Sequence, residues 1–301
     1  MTTEAVATRA TWRDYLVLTK PKVISLLLVI AVTPMFVAAD GWPGLVPLLG
    51  VLAGGYMAAG AAGVFNMVYD RDIDKRMRRT ASRPIAEDRI PLTNAVLFAV
   101  ALTVGSALVL IITANLLAAL LAWAGIAFYV LIYTMWLKRS TWHNIVIGGA
   151  AGAIPPLVGW AAVTGDLSLL AWLLFTLVFM WTPMHFWALA LMIKKDYEAV
   201  GVPMAPSVIG EKATMLQIVM YTVLTAMLTF IPFALNEFSV MYLLAALALN
   251  LFLAFRVASL WRAVQAGGGV DKATALPLYL YSMLYLALIF VSMAVDRTFF
   301  A

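Results

Sequence analysis

"NMVYDRDIDKRMRRTASRP", residues 66–84, stands directly behind a long apolar run. Asn66, Asp70 and Asp74 fall four residues apart, so on a helix they share one face. A solvated loop with balanced charges is the ordinary reading of such a stretch, and three features weigh against it. Asp70 and Asp74 continue the face of Asn66 at the C-terminal end of a helix, where the macrodipole disfavours anions. Like charges at i and i+4 repel by about a few tenths of a kcal/mol. Arg71, Lys75 and Arg78 project at other angles and leave that face without an evident counter-charge. A cation between the carboxylates makes the arrangement favourable. Oxygen-only donors with room for water and phosphate oxygens suit Mg2+.

Composition outside this stretch places the chain in a bilayer. Of 301 residues, 64% are hydrophobic and 12% charged, against about half apolar and a quarter charged in a soluble domain. There is no cysteine, which excludes disulfides, thiolate metal sites, a cysteine nucleophile and c-type haem attachment. A spanning helix needs about 20 apolar residues. Nine runs approach or exceed that length: 22–39, 45–68, 92–113, 115–137, 144–163, 167–192, 214–234, 239–261 and 274–295. The predicted fold is all-α, a polytopic membrane protein with nine transmembrane helices around a central cavity. Residues 1–301 are read as one membrane-embedded domain, with 1–20 as a cytoplasmic N-terminal segment. "VAAD" after the first run resembles a signal cleavage site, but that run is long for a signal peptide and eight more follow.

Basic residues set the expected orientation. Of the 20 Lys and Arg, only Arg297 falls at the other end of the spans; Arg9, Arg13, Lys20 and Lys22 precede the first, and seven follow the second. The positive-inside rule puts the basic end in the cytoplasm, with the N-terminus inside and the C-terminus outside. The net charge of +5 then reads as topology plus an anion-attracting mouth, and no nucleic-acid partner is expected.

A second acidic loop, "KKDYEAVGVPMAPSVIG" (194–210), places Asp196 just past the sixth run. Asp70 and Asp196 are 126 residues and four runs apart, which predicts two four-helix halves with a ninth helix appended. Two acidic loops facing one basic mouth suit a diphosphate held through bridging Mg2+, with Arg and Lys stabilising the charge that builds on departure. If the diphosphate is allylic, departure leaves a carbocation that needs a dry, aromatic-lined pocket.

Four stretches carry a family resemblance, running from about Lys20 to the last span. Residues 66–84 match the N-x-x-x-D-x-x-x-D motif of the intramembrane prenyltransferases, which include the aromatic prenyltransferases of quinone pathways. "YTMWLKRSTWHNIVIGGAAGAIPPLVGW" (133–160), "WTPMHFWALAL" (181–191) and 194–210 resemble the haem branch, the protohaem IX farnesyltransferases. The resemblance implies transfer of farnesyl from farnesyl diphosphate to a vinyl group of haem B, giving haem O. It also implies an inner-membrane location, a place in oxidase assembly, and a haem-handling protein or haem A synthase as partner. By the same resemblance Asn66, Asp70, Asp74 and Asp196 bind Mg2+-diphosphate, and Arg79, Arg83, Lys138 and Lys195 contact the diphosphate or close the mouth. The resemblance also places Tyr133 near the cytoplasmic end of the pocket. Quinone-pathway relatives carry an acid four positions after the one matched by Asp196, where this chain has Val200. Glu198, two residues on, faces away on a helix.

The two histidines, His143 and His185, are candidate haem ligands. His185 precedes Asp196 by eleven residues, about 16 Å and almost three turns on one helix, so both are expected on the same side. A porphyrin at His185 then lies deep while the diphosphate is held at the mouth. His143 opens the fifth run. Polar groups within spans are functional by default. The rival readings are a prenyltransferase acting on a quinone precursor and a transporter, whose ionisable sites tend to sit near the midplane.

Overall fold

The structure, a computed structural model, describes residues 10–267 and 269–300. Residues 1–9, including Arg9 and part of the expected N-terminal segment, lie outside the described residues. In chain order the helices are α1 (Trp12–Thr19), α2 (Pro21–Ala38), α3 (Leu45–Tyr69), α4 (Arg71–Asp74), α5 (Leu92–Thr113) and α6 (Leu116–Ala127). There follow α7 (Asn144–Thr164), α8 (Leu169–Met192), α9 (Lys194–Val200), α10 (Ala205–Val208), α11 (Gly210–Ala234), α12 (Val240–Gln265) and α13 (Lys272–Phe299). Helix α6 continues through a π-helical stretch, Phe128–Trp136, into a 3-10 turn, Leu137–Arg139. Among the described residues nine helices are long and apolar enough to cross a membrane, and the chain is an integral membrane protein.

Capping chemistry fixes several starts. The side chains of Asn115, Ser168 and Asp271 accept from Ala118 N (2.9 Å), Ala171 N (3.3 Å) and Thr274 N (2.8 Å), satisfying amides that the first helical turn leaves free. The expected runs match the helices closely, except that α11, α12 and α13 extend about a turn further. The added residues include Lys212, Arg262, Lys272 and Asp296. Charge ends an apolar run but does not end a helix.

Consecutive spanning helices pack side by side, and α13 closes the ring against α2. The series α2–α3–α5–α6 and α7–α8–α11–α12 repeat the same neighbour pattern, giving two four-helix halves plus one helix. Among the contacts between helices that are not neighbours in the ring, the most extensive are α2 with α7 and α8 with α13. The α2–α7 crossing is close because position 159 has no side chain: a Cβ there would lie 1.7 Å from the carbonyl oxygen of Ala31. On the outer helices Leu97, Leu108, Ile112 and Leu251 are exposed, as a lipid-facing surface requires. At the end of the bundle opposite the acidic loops, Asp296 is buried and caps α12 by accepting from Ser239 N (2.8 Å) and Tyr242 N (3.1 Å).

Candidate active site

The C-terminus of α3 carries the site. Asp70 leaves helical geometry (φ −85°, ψ 6°), yet the i to i−4 bonds continue through it. Asp70 N donates to Asn66 O at 2.9 Å and Asp74 N to Asp70 O at 2.8 Å. Asn66, Asp70 and Asp74 therefore keep the one-turn spacing read from the sequence, and all three are buried. Asn66 Nδ2 donates to Asp70 Oδ2 (2.7 Å) and to Thr134 Oγ1 (3.3 Å), which ties α3 to the π-helical stretch.

This face is not without counter-charge, as the helix period alone suggested. Lys138 donates to Asp70 Oδ2, Arg83 Nη1 to Asp74 Oδ2 at 2.7 Å, and Lys20 Nζ to Asn66 Oδ1 at 2.8 Å. These cations come from three other segments, which a single helix period does not register. Asp70 Oδ1 is buried with no hydrogen bond, its nearest cation being Arg139 Nη2 at 3.6 Å. An orphaned buried carboxylate oxygen is costly to leave unbonded, and beside an amide and a second carboxylate it is what a hard cation needs. Among the described residues no three His, Asp or Glu side chains converge on one point. Such a cation would complete its shell with phosphate oxygens or water, as Mg2+ commonly does.

Lys20 is a site residue that the sequence reading counted only for topology. It stands between α1 and α2 with φ 58° and ψ 56°, an unusual left-handed conformation for lysine. Burial, with the nearby positive charges of Arg83 and Lys138, pulls its ammonium down to about 7. Tyr197 on α9 is a second missed residue. It is buried, which raises its phenol, and the charges of Arg79, Arg83, Asp70 and Asp196 all act on it. Tyr197 thus places the second acidic loop beside the first. Asp196 itself is half-buried and makes no side-chain hydrogen bond among the described residues, and Arg79 and Lys195 are exposed at the mouth. Glu198 lies 4.0 Å from Lys194 at the surface.

Beneath the mouth lies a cavity of about 310 Å³, walled by α2, α3, α6, α7 and α8. Lys20, Tyr129 and Tyr133 line its polar end, and Ala31 and Val158 its apolar depth. The rings of Tyr129 and Tyr133 lie 5.3 Å apart, and Thr134 Oγ1 donates to Tyr129 O at 2.9 Å across the π-helical turn. Tyr133 fits only because position 148 is bare: a Cβ there would stand 2.4 Å from its ring. Gly148→Ala is expected to destabilise the protein by about 1–3 kcal/mol, checked as a lowered unfolding temperature in detergent.

Neither histidine lines this cavity. The expected register from His185 to Asp196 fails because α8 ends at Met192 and Ile193 (φ −118°, ψ 26°) breaks it from α9. His185 faces α13, its ring between Trp181 (4.4 Å) and Tyr279 (4.9 Å), with Nδ1 2.7 Å from Ser282 Oγ. Ser282 Oγ also lies 2.7 Å from Tyr279 O. With the hydroxyl proton turned to Tyr279 O, Ser282 accepts from His185 Nδ1–H and the lone pair lies on Nε2; with it turned to Nδ1, the tautomer is the reverse. His143 is exposed before α7, 3.2 Å from Thr141 Oγ1 and close against Trp142.

The UbiA prenyltransferase family pattern matches residues 26–268. The chain is 60% identical to a protoheme IX farnesyltransferase of Thermus thermophilus over 96% of its own length, and spans about half (46%) of that relative. It is 54% identical to the Deinococcus radiodurans protein of the same name, covering 96% of this chain and 94% of that one. A solved UbiA homologue from Archaeoglobus fulgidus, bound to DMAPP and Mg2+, superposes with a TM-score of 0.70 at 17% identity over 94% and 99% of the two chains. A digeranylgeranylglyceryl phosphate synthase superposes at 0.76 with 18% identity over 95% and 98%. Identities this low speak to the fold alone.

Proposed function

The chain belongs to the UbiA prenyltransferase family, and from that premise we propose that it transfers a farnesyl group from farnesyl diphosphate to a vinyl group of haem B, giving haem O. One observation carries the proposal. A buried carboxylate pair, one oxygen of it unbonded, sits among three cations at the mouth of an apolar cavity. The 54% identical relative, matched over nearly its whole length, supports haem as the acceptor.

In this reading Asn66, Asp70 and Asp74 would hold Mg2+, with Asp196 joining from the second loop once the diphosphate is bound, and the cation would supply positive charge to the diphosphate. Lys20, Lys138 and Arg83 already stand at the carboxylates and donate to the diphosphate as negative charge builds on it. Arg79 and Lys195, exposed at the rim, close over it. The C–O bond breaks, the electron pair leaves with diphosphate, and an allylic cation remains in the cavity. The ring faces of Tyr129 and Tyr133 stabilise it, as aromatic faces stabilise cations. The haem vinyl group supplies the electron pair for the new C–C bond. Water adds to the resulting cation beside the pyrrole and loses a proton, completing the hydroxyethylfarnesyl substituent. His185, with His143 as the alternative, is assigned to the haem iron.

The test is conversion of haem B to haem O by the purified protein with farnesyl diphosphate and Mg2+, followed by product mass and absorption. Prenylation of a quinone precursor instead, with haem untouched, would reassign the acceptor.

The same reading sets the basic end of the bundle in the cytoplasm of a cell carrying the protein in its inner membrane. A reporter fused after Gly267 is expected to read as cytoplasmic and one at the C-terminus as external. The reverse at either point breaks the orientation.

A further inference from the structure

Four glycines of α7 face inward, and three have a packing reason to be glycine. A Cβ at 148 meets Tyr133 at 2.4 Å, one at 149 meets Thr182 at 2.9 Å, and one at 159 meets Ala31 O at 1.7 Å. At 152 a Cβ would meet nothing within 4 Å, and the backbone there is helical. Neither packing nor conformation calls for glycine, which is a poorer helix former than alanine in a helix interior. Yet Gly152 lines the cavity. What its missing side chain preserves is open space.

That space has a position and a chemistry. Gly152 lies one turn, about 6 Å, beyond Gly148 and Tyr133, on the side away from the carboxylates. Along α2 the cavity runs from Lys20 to Ala31, eleven residues or about 16 Å. Its polar groups gather at the Lys20 end, and the rest of the lining is almost entirely apolar. A long slot with a cationic mouth and an apolar depth fits a molecule with an anionic head and a slim hydrocarbon tail. We propose that Gly152 is a specificity-determining residue for the isoprenoid chain, leaving the slot wide enough for a farnesyl tail to pass where a Cβ would admit only a shorter one. The inference rests on the prenyl-transfer reading.

The experiment compares the wild-type chain of 301 residues with its Gly152→Ala variant, each given haem B and an equimolar mixture of farnesyl and geranyl diphosphate. Products are resolved by mass and thermal stability is recorded. One methyl intruding on an apolar pocket changes discrimination by about 10- to 200-fold. The ratio of farnesyl to geranyl product is therefore expected to fall at least about tenfold, with stability unchanged or raised. An active Gly152→Ala protein with an unchanged ratio overturns the inference. So does loss of fold, which would give Gly152 a packing role like its neighbours. A wild type that consumes neither diphosphate sinks the prenyl-transfer reading, and this inference with it.

Discussion

Asp70→Asn is expected to lower turnover by at least about 10²- to 10³-fold, the loss that follows removal of one preorganised electrostatic group at a reacting centre. The substitution is nearly isosteric, and one amide oxygen remains to accept from Lys138. What disappears is the negative charge at the centre of Lys20, Lys138, Arg83 and Arg139. Stranding a buried cation costs about 3–5 kcal/mol when the survivor stays buried, but the Lys138 side chain is 13% exposed and has a route to water. The fold should therefore persist in detergent while catalysis fails. Asp74→Asn, which leaves Arg83 beside a neutral amide, is expected to behave alike. The measurement is diphosphate release against Mg2+ concentration. Near-normal turnover of Asp70→Asn in limiting Mg2+ would remove Asp70 from the diphosphate site.

What could be read in advance divides along a physical line. Hydropathy located nine spans within a few residues, because a spanning helix must be apolar over about the bilayer thickness. Period four put Asn66, Asp70 and Asp74 on one face, because that spacing is local to one helix. The counter-charges were not local. Lys20 reaches Asn66 across 46 positions, and Lys138 reaches Asp70 across 68. In the sequence Lys20 was merely a basic residue beside a span, and Lys138 stood out only through the family resemblance, not as the partner of Asp70. A lysine immediately before proline at the head of an apolar run was the one available signal at Lys20, since that position disfavours the right-handed helix. It says nothing of where the side chain goes. The buried Asp296 was invisible for the same reason: its oxygens serve amides 54 and 57 residues away. The π-helical stretch at 128–136 leaves no pattern distinct from an α-helix, although such departures often mark functional sites. The projected alignment of His185 with Asp196 failed at one residue, Ile193, whose backbone turns the chain before the acidic loop begins.

His185→Ala is expected to shift the Soret band of the haem-loaded protein and weaken haem binding, while leaving farnesyl diphosphate affinity as it was. The argument comes from the hydrogen bonds around the ring rather than from its depth. In the tautomer that a ligand requires, the Ser282 proton goes to Tyr279 O, Nδ1 of His185 is the protonated nitrogen and Nε2 keeps its lone pair; the 2.7 Å contacts of Ser282 Oγ with both partners allow it. Stacking on both faces by Trp181 and Tyr279 holds the ring's orientation. A neutral imidazole with its tautomer and orientation fixed by a partner on the other nitrogen is how proteins present histidine to a metal. His185 does not line the cavity under the carboxylates, so the diphosphate should not notice its loss. The same geometry gives a second test. Ser282→Ala keeps the ligand but releases the tautomer, and haem affinity is expected to fall about 10- to 100-fold, the usual loss on removing a partner behind a metal ligand. His143→Ala, altered at an exposed ring near the mouth, should leave the spectrum unchanged. An unchanged Soret band and haem affinity in His185→Ala would end its case as a ligand, and a change confined to His143→Ala would move the haem iron to the start of α7.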